Sequence, residues 1–229
     1  SLTDVINGIT PDWVVLAGDR SETLVASIVC SYMYIPVAHI QAGELSGNID
    51  GLARHAIGKF SHMHFASNKD AYNRLIKLGE EKFRIKLVGA PQLDDIKKIK
   101  KTSLSRKFIT EKLGIDNQKY ILSVYHPVTE EYLNIEQYTN NLTVALNASS
   151  LNKVWILPNN DSGSLIVKKK ILQNKSSNQY LFENLNREDY LILLKHSECI
   201  IGNSSSGIIE APSFGVPCVN IGRRQNMRV

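Results

Sequence analysis

Cys199-Ile200-Ile201-Gly202-Asn203-Ser204-Ser205-Ser206-Gly207 joins a short apolar run to a turn of small residues, and the apolar residues 208–214 follow. The run is too short for a helix and reads as a buried strand that feeds a helix. A strand that passes at once into a helix belongs to a parallel sheet. The turn also carries chemistry. The first turn of a helix offers unpaired N–H groups and the positive end of the helix dipole, and the serines add hydroxyl donors. Asn203, Ser204, Ser205 and Gly207 therefore read as a phosphate cradle. No Lys-Ser/Thr pair follows, so it is not a P-loop. Glu210, three residues after Gly207, is placed to accept hydrogen bonds from the two hydroxyls of a ribose. Plain serine capping, with Glu210 as a first-turn acid, competes with that reading.

The same alternation runs outward along the chain. Strands are predicted at 13–17, 36–40, 62–66 and 85–88, with helices at 24–32, 52–60 and 71–78 between them. The first of these helices is apolar nearly all round, as a buried helix would be. Asn68 reads as an N-cap. A charged helical stretch at 93–113 reads as a connector, and then the pattern restarts. Strands follow at 120–125, 154–157, 179–182, 199–202 and 217–221, with helices around 135–145, 164–173, 190–194 and 208–214. The expected organisation is an N-terminal Rossmann-like domain over 1–92, a helical connector over 93–116 and a C-terminal nucleotide-binding domain over 117–229. Both ends read as cut, with the first domain truncated at its start.

Composition bounds the rest. The chain has 229 residues, enough for one large domain or two small ones. A hydrophobic fraction of 43% and a charged fraction of 21% are ordinary for a globular protein and exclude disorder and coiled coil. No apolar run approaches the roughly 18 residues that span a bilayer. Three scattered cysteines, Cys30, Cys199 and Cys218, read as reduced buried thiols, which points to the cytoplasm. The net charge is +5, with lysine clusters at 97–101 and 168–170. Without interleaved aromatics these read as solvated helix faces rather than a nucleic-acid surface.

Other polar residues gather where strands end, which is where open parallel sheets bind ligands. Gly18-Asp19-Arg20 closes the first strand, and Asp19 reads as a base, a stabiliser, a sugar-hydroxyl ligand or a helix cap. His39-Ile40-Gln41-Ala42-Gly43-Glu44 closes the second, with Asp50 six residues on and Arg54-His55 behind it. Two carboxylates and a histidine on one short loop suit proton transfer, although His39 also fits a satisfied core position. His62 and His64, two apart on a strand, share a face and read as packing residues rather than metal ligands. His126, held by Pro127 at a strand end, is placed to work.

Taken in order, these motifs resemble the UDP-N-acetylglucosamine 2-epimerases along the whole chain. The residues that carry the resemblance are Gly18-Asp19-Arg20, the run from His39 through Gly43-Glu44-Leu45-Ser46-Gly47-Asn48-Ile49-Asp50, Arg54-His55-Ala56-Ile57, Ser61-His62-Met63-His64, His126-Pro127-Val128-Thr129, Pro158-Asn159 and Gly202-Asn203-Ser204-Ser205. The loop over 43–50 is similar to that of the hydrolysing branch, which feeds sialic-acid-type sugars. The resemblance implies two Rossmann-like parallel-sheet domains in a GT-B arrangement. It further implies a nucleotide-sugar substrate, no cofactor or metal, no nucleic-acid or membrane partner, and leaves a homo-oligomer open. It places Asp19, Asp50 and His126 at the sugar, with Ser204, Ser205 and Glu210 on diphosphate and ribose. Gln41, Asn159, Asn203, Gly207 and Arg224 complete the expected substrate-binding set. The family has an acid at the position of Gln41, and Glu44 is the nearest substitute for it. The implied reaction eliminates the nucleoside diphosphate to a glycal and then adds water. A glycosyltransferase or an inactive nucleotide-sugar-binding module are the competing functions.

Overall fold

The computed structural model describes residues 1–46, 49–159 and 161–228. Gly47 and Asn48 of the quoted loop lie outside the described residues. The chain divides into two compact units, Ser1–Pro91 with residues 226–228, and Gln92–Gln225. Each is an α/β unit on its own parallel sheet.

The first unit runs α1 (Leu2–Ile9), β1 (Val14–Ala17), α2 (Ser21–Tyr32), β2 (Val37–Ile40), α3 (Ile49–Lys59), β3 (Met63–Ala66), α4 (Lys69–Lys77) and β4 (Ile85–Leu87). Its strands lie in the order β1-β2-β3-β4, all parallel. Ala17 pairs with Ile40, so the segments leaving β1 and β2 start level with each other. Asn68 caps α4 as expected, its side chain accepting from the Ala71 N–H at 2.8 Å. The expectation of an all-round buried α2 does not hold. Only Ser27 and Cys30 are buried, while Val25 and Tyr32 face solvent, because β1 is an edge strand and the helix is covered on one flank only.

The second unit opens with α5 (Asp94–Lys101) and α6 (Arg106–Lys112). It continues with β5 (Tyr120–Val124), α7 (Ile135–Asn147), β6 (Asn152–Ile156), α8 (Ser164–Gln173), β7 (Gln179–Phe182), α9 (Arg187–Lys195), β8 (Cys199–Gly202), α10 (Ser206–Ile209), α11 (Ala211–Phe214) and β9 (Cys218–Asn220). The strand order is β7-β6-β5-β8-β9, again all parallel. β5 is central and every residue in it is buried, which is why it reads as a continuous apolar run. Tyr120, Leu122 and Val124 enter one core with Leu191, Leu194 and Ile200, and Ile121 enters the other with Leu142 and Trp155.

The stretch read as a connector belongs to this unit instead. α5 and α6 bury Ile96, Ile99 and Ile109 in its core. Lys112 pairs with Asp189 of α9 at 2.7 Å, and the Lys195 ammonium donates to the Ile99 and Thr102 carbonyls. The helix expected over 208–214 is also altered, into two four-residue turns. Pro212 has no N–H to extend the first turn but is tolerated at the start of the second.

From β5 the chain winds outward through β6 to β7, then returns to place β8 on the opposite side of β5. The winding therefore reverses between β5 and β8, and the carboxyl ends of strands at such a point are where doubly wound sheets hold ligands. His126 and the serine turn both start there.

Candidate active site

In the first unit the organising residue is Arg54. It lies one turn into α3 and is 2% exposed. Its Nη2 pairs with Oδ2 of Asp19. Nη1 donates to the Gln41 carbonyl at 2.8 Å and stands 3.7 Å from Oε2 of Glu44. Oε1 of Glu44 accepts from the Ser67 hydroxyl, and Oε2 has no hydrogen-bond partner among the described residues. Glu44 is thus buried and engaged, not a loop acid turned to solvent. Gln41 adopts a left-handed φ of 62°, which costs a non-glycine residue about 1–2 kcal/mol. Its carbonyl is directed to Arg54 in compensation.

Two residues on, the loop makes a close approach. A Cβ on Gly43 would lie 2.5 Å from the Ala71 carbonyl oxygen, and Arg74 donates to the Gly43 carbonyl at 2.8 Å. Two arginines thus pin the backbone that follows β2. Asp50 sits in the first turn of α3, where a negative charge meets the positive end of the dipole.

The histidines of this unit are mostly structural. His39 is fully buried, with Nε2 2.8 Å from the Gly18 carbonyl, and burial pushes its pKa down to about 4. His64 is its register neighbour on β3, also fully buried, with Nε2 3.2 Å from a Glu80 oxygen. Burial lowers the pKa of His64 too. His62 departs from the reading of a shared strand face. It precedes β3, is exposed, and accepts the Val37 N–H on Nδ1 at 3.1 Å. Among the described residues no group of three potential metal ligands converges.

In the second unit the site forms at the ends of β5 and β8. A Cβ on Gly202 (φ 145°) would meet the Val124 carbonyl oxygen at 2.0 Å, so only glycine lets the strands approach this closely. Asn203, 1% exposed, follows it. Its Oδ1 accepts the His126 N–H at 2.7 Å and its Nδ2 donates to the His126 carbonyl at 2.8 Å. One acceptor site and one N–H of the amide thus engage the backbone of residue 126. Nδ1 of His126 accepts the Asn159 N–H at 3.4 Å, which favours the neutral tautomer with its proton on Nε2. The Asn159 side chain donates to Asp161.

The serine turn follows Asn203. The N–H groups of Ser204 and Ser205 reach no acceptor among the described residues. The Ser204 hydroxyl accepts the Ser206 N–H at 3.3 Å, so capping and exposed donors coexist. Gly207 has a packing reason, because a Cβ there would lie 2.4 Å from Sγ of Cys218. Glu210 is buried and ion-paired to Arg187, which also donates to the Gln92 carbonyl at 2.8 Å. Arg224 donates to the Asn203 carbonyl at 3.1 Å, joined by Gln225 at 2.8 Å.

The residues that sequence reasoning left without a role are Arg54, Ser67, Arg74, Arg187 and Gln225. Arg54 stood within a quoted motif, and an arginine beside two carboxyl-bearing loops was the available signal. The other four act through contacts 22 or more residues away and carry no local pattern. An apolar cavity of about 700 Å³ runs along the α7 face of β5 and β8, lined by Ile121, Tyr125, Tyr138, Leu142, Ile201 and Ile221. Neither His126 nor the serine turn lines it.

The family model described as UDP-N-acetylglucosamine 2-epimerase matches residues 1–229. A UDP-N-acetylglucosamine 2-epimerase of Neisseria meningitidis serogroup B is 39% identical over 96% of this chain and 58% of its own length. A UDP-N,N'-diacetylbacillosamine 2-epimerase (hydrolyzing) of Legionella pneumophila is 39% identical over 99% of this chain and 60% of its own length. Among solved structures, a Neisseria meningitidis UDP-GlcNAc 2-epimerase bound to UDP-GlcNAc superposes with a TM-score of 0.76 at 26% identity, covering 96% of this chain and 62% of that one. The chain thus spans about 60% of the length of these relatives.

Proposed function

Because the chain belongs to the UDP-N-acetylglucosamine 2-epimerase family, we propose that it supplies the catalytic groups of a hydrolysing 2-epimerase acting on a UDP-linked 2-acetamido sugar. The observation that carries this reading is the pair of N–H groups at Ser204 and Ser205 that reach no acceptor among the described residues, beside a strand-end histidine. In the reaction a base takes the C2 proton and UDP leaves from C1 with the bonding electrons, giving a glycal. Water then adds at C1, and a proton returns to C2 from the opposite face. UDP-N-acetylglucosamine and water would yield N-acetylmannosamine and UDP.

Charge develops on the departing diphosphate. Fixed N–H donors aimed at that charge lower the barrier without reorganising. Ser204 and Ser205 are assigned to it, with Nε2–H of His126 as a further donor. Glu210, steadied by Arg187, is assigned to the ribose hydroxyls. The proton chemistry is assigned to Asp19, Glu44 and Asp50. Gln41 carries an amide and cannot exchange a proton near neutrality, so Glu44, whose Oε2 has no hydrogen-bond partner among the described residues, takes that part. The hydrolysing course is supported by the loop over 43–50 and by relatives whose names carry that term.

The test is proton NMR of the protein with UDP-N-acetylglucosamine in deuterated water. Deuterium at C2, free N-acetylmannosamine and UDP are expected together. UDP-N-acetylmannosamine as the end product would replace the hydrolysing course with simple epimerisation, and an unchanged C2 proton would reject the reading. Parallel assay of UDP-N,N'-diacetylbacillosamine tests the second substrate, which the Legionella and Campylobacter relatives' names favour.

A further inference from the structure

The backbone ladder between β5 and β8 ends at Val124 and Gly202, and the Asn203 N–H adds one more bond to the Val124 carbonyl at 3.1 Å. Two residues past Val124, His126 is paired by a side chain. The Asn203 amide stands in for a peptide group, taking the His126 N–H and giving to the His126 carbonyl. Pro127 follows and has no N–H, so a continued backbone ladder could not hold this turn. The Asn203 carbonyl is itself fixed by Arg224 and Gln225 from the turn after β9. One residue therefore ties together the ends of three neighbouring strands.

We propose that Asn203 is the positioning residue of His126. Fixing both backbone groups of residue 126 leaves the imidazole only its side-chain rotations, and the Asn159 N–H on Nδ1 then sets which nitrogen carries the proton. Asn203 also begins the serine turn, so the ring and the N–H groups of Ser204 and Ser205 are held in one frame. This rests on the nucleotide-sugar reading of His126 and deepens it. Asn203 touches no substrate in this role. It determines where a group that does touch substrate points.

The experiment records the ring resonances of His126 in the 229-residue chain, their titration with pH, and UDP affinity by calorimetry. Asn203→Ala is compared with Ser206→Ala, which disturbs the same turn through its bond to Tyr190 without touching His126. Asn203→Ala is expected to move the His126 ring signals and titration midpoint and to weaken UDP binding about tenfold. Ser206→Ala is expected to leave the ring signals in place. Unmoved ring signals in Asn203→Ala, or equal shifts in both variants, overturn the proposal. Should Asn203→Ala not fold, amide exchange in the wild type decides. A His126 N–H protected like those of β5 supports the clamp, and one that exchanges freely overturns it. A wild-type chain that binds no UDP defeats the nucleotide reading, while the ring signals still judge Asn203.

Discussion

Arg54 and Asp19, 35 residues apart in the chain, form an ion pair whose guanidinium is 2% exposed and whose carboxylate is 16% exposed. The same guanidinium reaches the Gln41 carbonyl and the Glu44 carboxylate. Arg54 thus holds in place three groups from the segments that leave β1 and β2. A planar, forked cation can do this, whereas a lysine ammonium offers one point of charge.

Removing one partner of a buried pair strands the other, at a cost of about 3–5 kcal/mol. Arg54→Ala is therefore expected to lower the stability of the first unit by that order in urea unfolding. Arg54→Lys should recover only part of it. A loss below about 1 kcal/mol for the alanine variant would mean that water already screens the cluster.

Glu44→Gln separates binding from chemistry. General acid–base groups contribute about 10²–10⁴-fold in rate. Exchange of the C2 proton is expected to fall by that order while UDP affinity stays nearly intact, and Gln41→Glu is expected to be tolerated. Near-normal turnover in Glu44→Gln would reduce Glu44 to a partner of Ser67 and Arg54.

Ser205→Ala keeps its backbone donor and loses only the hydroxyl. Hydrogen bonds to charged groups contribute about 1.5–3 kcal/mol, so calorimetry should record a loss of UDP affinity toward the lower end of that range. Unaltered affinity would leave the backbone alone as the cradle.

Arg187→Gln distinguishes the two halves of the nucleotide. With Glu210 no longer steadied, UDP should bind several-fold more weakly while inorganic pyrophosphate binds as before, because pyrophosphate has no ribose. Equal losses for both ligands would place Glu210 elsewhere than at the ribose.

Acid should destabilise the first unit through His39. Its folded pKa, about 4, lies below its unfolded value near 6.5, so the unfolded chain binds the proton more readily. The stabilisation is present above pH 6.5 and is lost as pH falls toward 4, with a ceiling on the order of 3 kcal/mol. His64 and His55, also lowered by burial, act in the same direction. Unfolding followed between pH 4 and 7 should show the slope, and His39→Gln should flatten it. An equally steep slope in that variant would assign the effect to the other histidines.

The sequence by itself determined the alternation of strand and helix, the restart that makes two parallel sheets, and the gathering of polar residues at the strand ends. These follow from local quantities: apolar period, small-residue turns, and the inability of a short apolar run to be a helix. It also marked the serine turn, because unpaired N–H groups belong to any strand-to-helix junction. Tertiary structure decided what each polar side chain does there. Residues 93–116 join the second unit because Ile96, Ile99 and Ile109 find an apolar core on α9, a fact invisible in a lysine-rich string. Asn203 holds the backbone of His126 because Gly202 brings two strands within reach. Glu44 faces Arg54 because the register of β1 and β2 sets their following loops side by side. A side chain's partners depend on distances between segments far apart in the chain, and those distances exist only once the sheet has closed its register.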